Sequence, residues 1–164
     1  MAGWLQGEIY DDVELAENEA AFSVATVVFH DRGGEVMLVV GTAQDMQLHP
    51  RTVKHGYIHV YRLLEGKRLQ LLHKTQVEDV PYALIEFKGR LAASVGRLLR
   101  IYDLGRRKLL KKCESKAMPT FVGSIQVHAS RLYVSDMAES VHFFRYARLL
   151  ACFGVLASPL SLCQ

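Results

Sequence analysis

Side chains able to do chemistry are plentiful in this chain, yet few stand at a spacing that chemistry uses. Of the seven histidines, His59 and His142 each follow an apolar residue, Ile58 and Val141. In a strand that alternation turns the imidazole to the opposite face from its apolar neighbour. A third stretch of the same pattern carries Arg100 at the matching place. A slot that takes His, Arg and His is not a metal-ligand set, and it reads as a polar surface position of a repeated sheet. Ser135-Asp136 and Asp103 supply two parts of a nucleophilic triad, but no Gly-x-Ser-x-Gly elbow accompanies them. Gly33-Gly34 joins two strand-like runs instead of a strand and a helix, so it is a hairpin turn and not a phosphate loop. Cys113, Cys152 and Cys163 form no Cys-x-x-Cys pair and have no histidine at ligand spacing. The expectation is no catalytic residue, no cofactor, no metal and no small-molecule substrate, with reduced thiols in an intracellular compartment.

One charge cluster remains: Arg106-Arg107-Lys108-Leu109-Leu110-Lys111-Lys112. Two readings stay open. It is an outer edge strand kept soluble by charge, or a surface of Arg106, Arg107, Lys108, Lys111 and Lys112 that faces a protein partner or RNA. No aromatic residue is interleaved to stack bases. The net charge of +3 is mild and names no nucleic-acid binder by itself.

These residues must be held by short strands. From Pro81 to Cys113 four apolar runs, Tyr82–Phe87, Arg90–Val95, Leu98–Tyr102 and Lys108–Cys113, are broken by Lys88-Gly89, Gly96-Arg97 and Asp103-Leu104-Gly105. This is a four-stranded antiparallel meander, the size of one β-propeller blade. The pattern recurs. Ile58-His59-Val60-Tyr61, Leu99-Arg100-Ile101-Tyr102 and Val141-His142-Phe143-Phe144 end in steps of 41 and 42 residues. Gly89-Arg90-Leu91 returns as Ser130-Arg131-Leu132 after another 41. The predicted fold is all-β, about three propeller blades with the last one incomplete.

In chain order, residues 1–20 fit either a helix or the outer strand of a preceding blade, and they carry neither a signal peptide nor a myristoylation pattern. Residues 21–146 are the partial propeller. Its first blade uses Ala21–His30, Val36–Thr42, Gly56–Leu64 and Lys67–Thr75, the last two joined at Glu65-Gly66. The stretch 43–55, with Pro50, is a long loop, either a surface insertion or a partner contact. An acidic linker, 76–80, leads to Pro81. Thr120–Val127, Arg131–Asp136 and Ser140–Tyr146 make three strands of a third blade, with no fourth expected. Residues 147–164 are a divergent apolar tail, too short for a bilayer span and broken by Pro159. Half the chain is apolar, which excludes a disordered class.

Several strings resemble a known family: Asn18-Glu19-Ala20-Ala21-Phe22-Ser23-Val24, His73-Lys74-Thr75-Gln76-Val77-Glu78-Asp79-Val80-Pro81, Arg100 through Glu114, and Val134-Ser135-Asp136-Met137-Ala138-Glu139-Ser140. They are similar to splicing factor 3b subunit 3, in the family of the cleavage and polyadenylation specificity factor large subunit and the damaged-DNA-binding protein large subunit. Glu86-Phe87-x-Gly89-Arg90-Leu91 is shared with the last of these as well. The resemblance covers about residues 14–148. It implies a slice of a seven-bladed propeller in a nuclear, non-catalytic scaffold for pre-mRNA splicing. Its partners would be other protein subunits of the complex that recognises the branch site, with RNA touched at most indirectly and no membrane. The alternatives are an adaptor of the damaged-DNA-binding type in a ubiquitin ligase, or a truncated product without function.

Overall fold

The computed structural model describes residues 9, 11–30, 32–64, 68–138, 140–147 and 152–155. Every regular element among them is a strand. The first sheet joins β1 (Glu19–Val28), β2 (Val36–Gln44), β5 (His55–Leu63) and β6 (Leu69–Val77) in that order. A two-stranded hairpin, β3 (Gln47–Leu48) and β4 (Arg51–Thr52), is inserted between β2 and β5. The second sheet runs β7 (Leu84–Glu86), β8 (Leu91–Val95), β9 (Leu98–Leu104) and β10 (Leu109–Ser115). The third runs β11 (Val122–His128), β12 (Arg131–Asp136), β13 (Val141–Ala147) and β14 (Cys152–Val155). All pairings are antiparallel, and apart from β2 with β5, which the β3–β4 hairpin separates, they join sequence neighbours, as the meander reading predicts.

The sheets stack face to face. Val27, Met37, Val39, Ile58 and Val60 of the first meet Leu84, Leu91, Ala93, Val95 and Tyr102 of the second. Ala92, Leu99 and Ile101, on the other face of the second sheet, meet Val122, Ile125, Leu132, Val134 and Phe144 of the third. The first strands gather on one side, with β7 lying against both β1 and β11, as the inner strands of radial blades do. The middle sheet is therefore sandwiched, and all of β8 is buried. Strict polar–apolar alternation is lost there because neither face meets water.

Cross-strand register shows the repeat more sharply than sequence spacing does. Leu38 faces Tyr61, Leu91 faces Tyr102 and Leu132 faces Phe144. One step along, Val40 faces His59, Ala93 faces Arg100 and Val134 faces His142. Paired residues share a sheet face, so each sheet carries the same aliphatic–aromatic and small–polar couples on one face, which in the second and third sheets turns towards the sheet before it.

Several expectations change. The third sheet does have a fourth strand: Cys152–Val155 pairs with Phe144–Ala147. It is only four residues long and lacks alternation, which hid it in the apolar tail. Residue 9 and residues 11–16 form neither helix nor strand. Asp11 instead accepts a hydrogen bond from the Leu69 amide at the start of β6, at 2.7 Å. The long loop shrinks, since β2 continues to Gln44 and β3–β4 fill its middle, with a cis His49–Pro50 bond at the tip. The strand expected over Tyr82–Phe87 is three residues, and β9 runs through Asp103 instead of ending before it. Gly33 and Gly34 take φ of +60° and +83°, as their hairpin turn requires. The Glu65-Gly66 turn lies outside the described residues.

Candidate interaction surface

The recurrent polar slot is not a surface position. His59 and Arg100 are buried, and His142 is half-buried. The third strands place all three on the equivalent face of their sheets, and each finds an acid there. His59 Nε2 stands 2.7 Å from Glu19 Oε1 and 3.1 Å from Thr42 Oγ1, and its Nδ1 is 3.2 Å from the Tyr61 hydroxyl. Lys74 Nζ holds the other oxygen of Glu19 at 2.7 Å. Burial pushes His59 below its ordinary pKa, against the pull of Glu19, so the imidazole is neutral at neutral pH. Burial acts to raise Glu19, but the hydrogen bonds from Lys74, Thr42 and His59 outweigh it and hold the carboxyl below its usual range.

Arg100 bridges two carboxylates. Its Nε donates to Glu114 Oε2 at 2.7 Å, and its second nitrogen reaches Glu78 Oε1 at 3.1 Å, while Tyr102 Oη lies 3.3 Å away. Burial opposes the Arg100 charge, yet these partners raise its pKa above the ordinary value. Glu78 is held low chiefly by the hydrogen bond from Arg100. Since Glu78 follows β6, the acidic linker ties the first blade to the second instead of floating in solvent.

In the third slot Asp136, weighed above with Ser135 and Asp103, is taken up by His142 and Ser140. Asp136 Oδ2 and Ser140 Oγ both stand 3.1 Å from the same nitrogen, His142 Nε2. A proton relay needs acid and hydroxyl on opposite ring nitrogens. Asp136 also accepts from the Ala138 and Ser140 amides, which marks it as the organiser of a turn. Asp103 belongs to another neighbourhood, between Arg90 at 3.6 Å and Lys112 at 3.8 Å. None of the described residues forms a cluster of three or more His, Cys, Asp or Glu able to hold a metal.

What is left facing solvent is the basic turn. Gly105 N donates to Lys108 O at 3.1 Å and closes the β9–β10 hairpin, which leaves Arg106, Arg107 and Lys108 exposed at its tip. Lys111 and Lys112 lie farther along β10, exposed, with Lys111 at 3.1 Å from Glu114. β10 is the last strand of its sheet. The cluster therefore runs onto an edge strand, with its five basic residues exposed. Between β6 and β10 opens a groove of about 480 Å³, with Lys74, Gln76, Glu78, Lys108, Leu110 and Lys111 on its walls and Arg100 and Tyr102 at its base. The Leu109 amide spans the floor by donating to Thr75 Oγ1 at 2.9 Å.

Sequence reasoning missed a second arrangement. Arg51 of the inserted hairpin reaches Asp79 Oδ1 at 2.5 Å and lies 4.0 Å over the Phe121 ring, so one side chain ties the insertion to parts of the chain flanking the second blade. The length of the insertion and its Pro50 were the available signal.

Stacked meanders with one repeated register are an architecture, and kinship has to come from residues. The pattern of the family described as "CPSF A subunit region" matches residues 4–158. The chain belongs to that family. Spliceosome-associated protein 130 A of Arabidopsis thaliana is 52% identical over 138 residues, 83% of this chain and 11% of its own length. Splicing factor 3B subunit 3 of Danio rerio is 50% identical over 145 residues, 88% of this chain and 12% of its own. Probable splicing factor 3B subunit 3 of Dictyostelium discoideum is 42% identical over 155 residues, 94% of this chain and 12% of its own. The chain thus spans about an eighth of the length of these curated relatives. Their names agree with the splicing-factor resemblance and not with the damaged-DNA-binding branch of the CPSF A family.

Proposed function

We propose that this member of the CPSF A family is a non-catalytic scaffold segment of the pre-mRNA splicing machinery, acting in the nucleus by binding other protein subunits. One observation carries the reading: identity of 50–52% to proteins named as splicing or spliceosome-associated factors, sustained over more than four-fifths of this chain. The geometry supports it, because the side chains that invite a catalytic reading are spent on structural contacts, within one sheet for His59, His142 and Asp136 and across two for Arg100. His59, Arg100, His142 and Asp136 each have structural partners.

In this reading residues 21–146 are part of a seven-bladed propeller, and 147–164 diverge from it apart from the strand that completes the third sheet. Arg106, Arg107, Lys108, Lys111 and Lys112 are the partner-facing surface, with RNA touched at most indirectly. Purification of the epitope-tagged chain from nuclear extract is the test. Recovery of splicing proteins is the expected result. Recovery of a cullin-containing ligase instead, or of neither, refutes the assignment.

A further inference from the structure

The groove between β6 and β10 has a shape and a charge that select one kind of visitor. Two strand edges bound it. β6 is the last strand of the first sheet and β10 the last of the second, and no described strand pairs with the outer edge of either. Its walls bear Lys108 and Lys111, the latter also paired with Glu114, and Glu78, whose charge Arg100 offsets; Arg106 and Arg107 stand exposed on the hairpin tip beside Lys108. Leu110, 45% exposed, adds an apolar foothold between the cations. Arg106, Arg107 and Lys108 make no ion pair with the described residues, so their charge is available to a partner. The groove floor is stiff, fixed by the Leu109–Thr75 hydrogen bond and by the buried Arg100.

We propose that this groove docks an extended acidic segment of a protein partner, which lies along the free edge of β10 and sets its carboxylates against Lys108, Lys111 and the Arg106-Arg107 tip. The inference deepens the protein-binding reading above and rests on it. A peptide strand matches what the site offers: a backbone edge with a repeat of about 3.3 Å and side chains alternating between groove and solvent. Carboxylates on alternate residues would all turn to the groove side and meet the cations there. RNA fits less well. The nearest aromatic in the groove, Tyr102, is 3% exposed and offers no face for a base to stack on.

The probes are a fluorescent decapeptide alternating Glu and Leu, the same peptide N-methylated at alternate residues, and a uridine 20-mer. Each is titrated by anisotropy against the full 164-residue chain. The decapeptide is expected to bind and to weaken as salt rises, because surface charges are screened. The variant R106E/R107E/K108E should lose at least about tenfold in affinity, and R106Q/R107Q/K108Q less. Circular dichroism of both variants should match the parent, since the changed residues sit at an exposed turn. N-methylation should abolish binding, because it removes the backbone donors that pair with β10. Tighter binding of the uridine 20-mer, an unchanged affinity in the reversed variant, or equal binding of the N-methylated peptide each overturns the proposal. The purification separates this from the broader reading. If the reversed variant recovers the same splicing proteins and the decapeptide does not bind, the groove inference falls and the scaffold reading stands.

Discussion

Replacing Arg100 by leucine tests the idea that a buried polar slot, as well as apolar packing, stabilises the fold. The Arg100 side chain is 5% exposed, and its two carboxylate partners differ sharply: Glu114 is 18% exposed and Glu78 is 70% exposed. Breaking a buried pair from one side costs about 3–5 kcal/mol, since the orphaned charge stays desolvated. An exposed pair is worth about 0.2–1 kcal/mol. After Arg100→Leu, Glu114 keeps Lys111 at 3.1 Å and Lys116 at 4.0 Å, which places the cost near the lower end, about 3 kcal/mol. For a chain of this size that corresponds to a fall in Tm of roughly 6–12 °C. Glu78→Gln should cost about 0.5 kcal/mol, because water already screens that carboxylate. Urea unfolding followed by far-UV circular dichroism reads each value, and a double-mutant cycle separates the pairs. Arg100→Leu with Glu114→Gln should be about 1–2 kcal/mol better than the sum of the singles, as two buried charges then leave together. A loss below about 1 kcal/mol for Arg100→Leu, or a coupling to Glu78 as large as that to Glu114, would refute the argument.

Three further outcomes follow from the same geometry. Gly56→Ala should prevent folding or cut Tm sharply, because a Cβ at that position would sit 2.0 Å from the Asp79 carbonyl oxygen; a soluble variant with parental Tm counts against the close approach. Leu91→Ala, at a site with no exposure, should cost about 2–5 kcal/mol in urea unfolding, whereas Leu110→Ala on the exposed edge should change little. Stability should fall on acidification in two stages. His59 and His73 both lie below the ordinary 6.5 in the folded chain, so the unfolded chain takes up protons first and stability declines as pH drops below about 6.5. Glu19, Glu78 and Glu114 lie below 4.5 when folded, so their contribution is complete above that pH and disappears as pH falls through their lower native values. His59→Gln should remove part of the first stage and leave the second; a stability profile flat from pH 7 to 5 contradicts the assignment.

The amino-acid sequence on its own determined the architecture, and the reason is local. A strand's apolar alternation and the glycines that end it act within a few residues, so Leu98–Tyr102 and its counterparts at Ile58–Tyr61 and Val141–Phe144 announced both strand and period. It also located the basic tip, since a run of charge needs no folding to be seen. Tertiary structure decided everything that depends on which face meets which neighbour. Nothing in the alternation says whether the side opposite Ile58 looks at water or at another sheet, and that is why His59 and Arg100 read as surface residues and proved buried. Their acids, Glu19, Glu78 and Glu114, are 40, 22 and 14 residues away along the chain; Glu19 and Glu114 arrive by strand pairing within one sheet, and Glu78 only once the blades stack. The short β14 escaped for the same reason: four residues without alternation become a strand because β13 offers them an edge. Spacing along a chain encodes elements, but the burial that turns a polar side chain into a tie between blades exists only after those elements have packed.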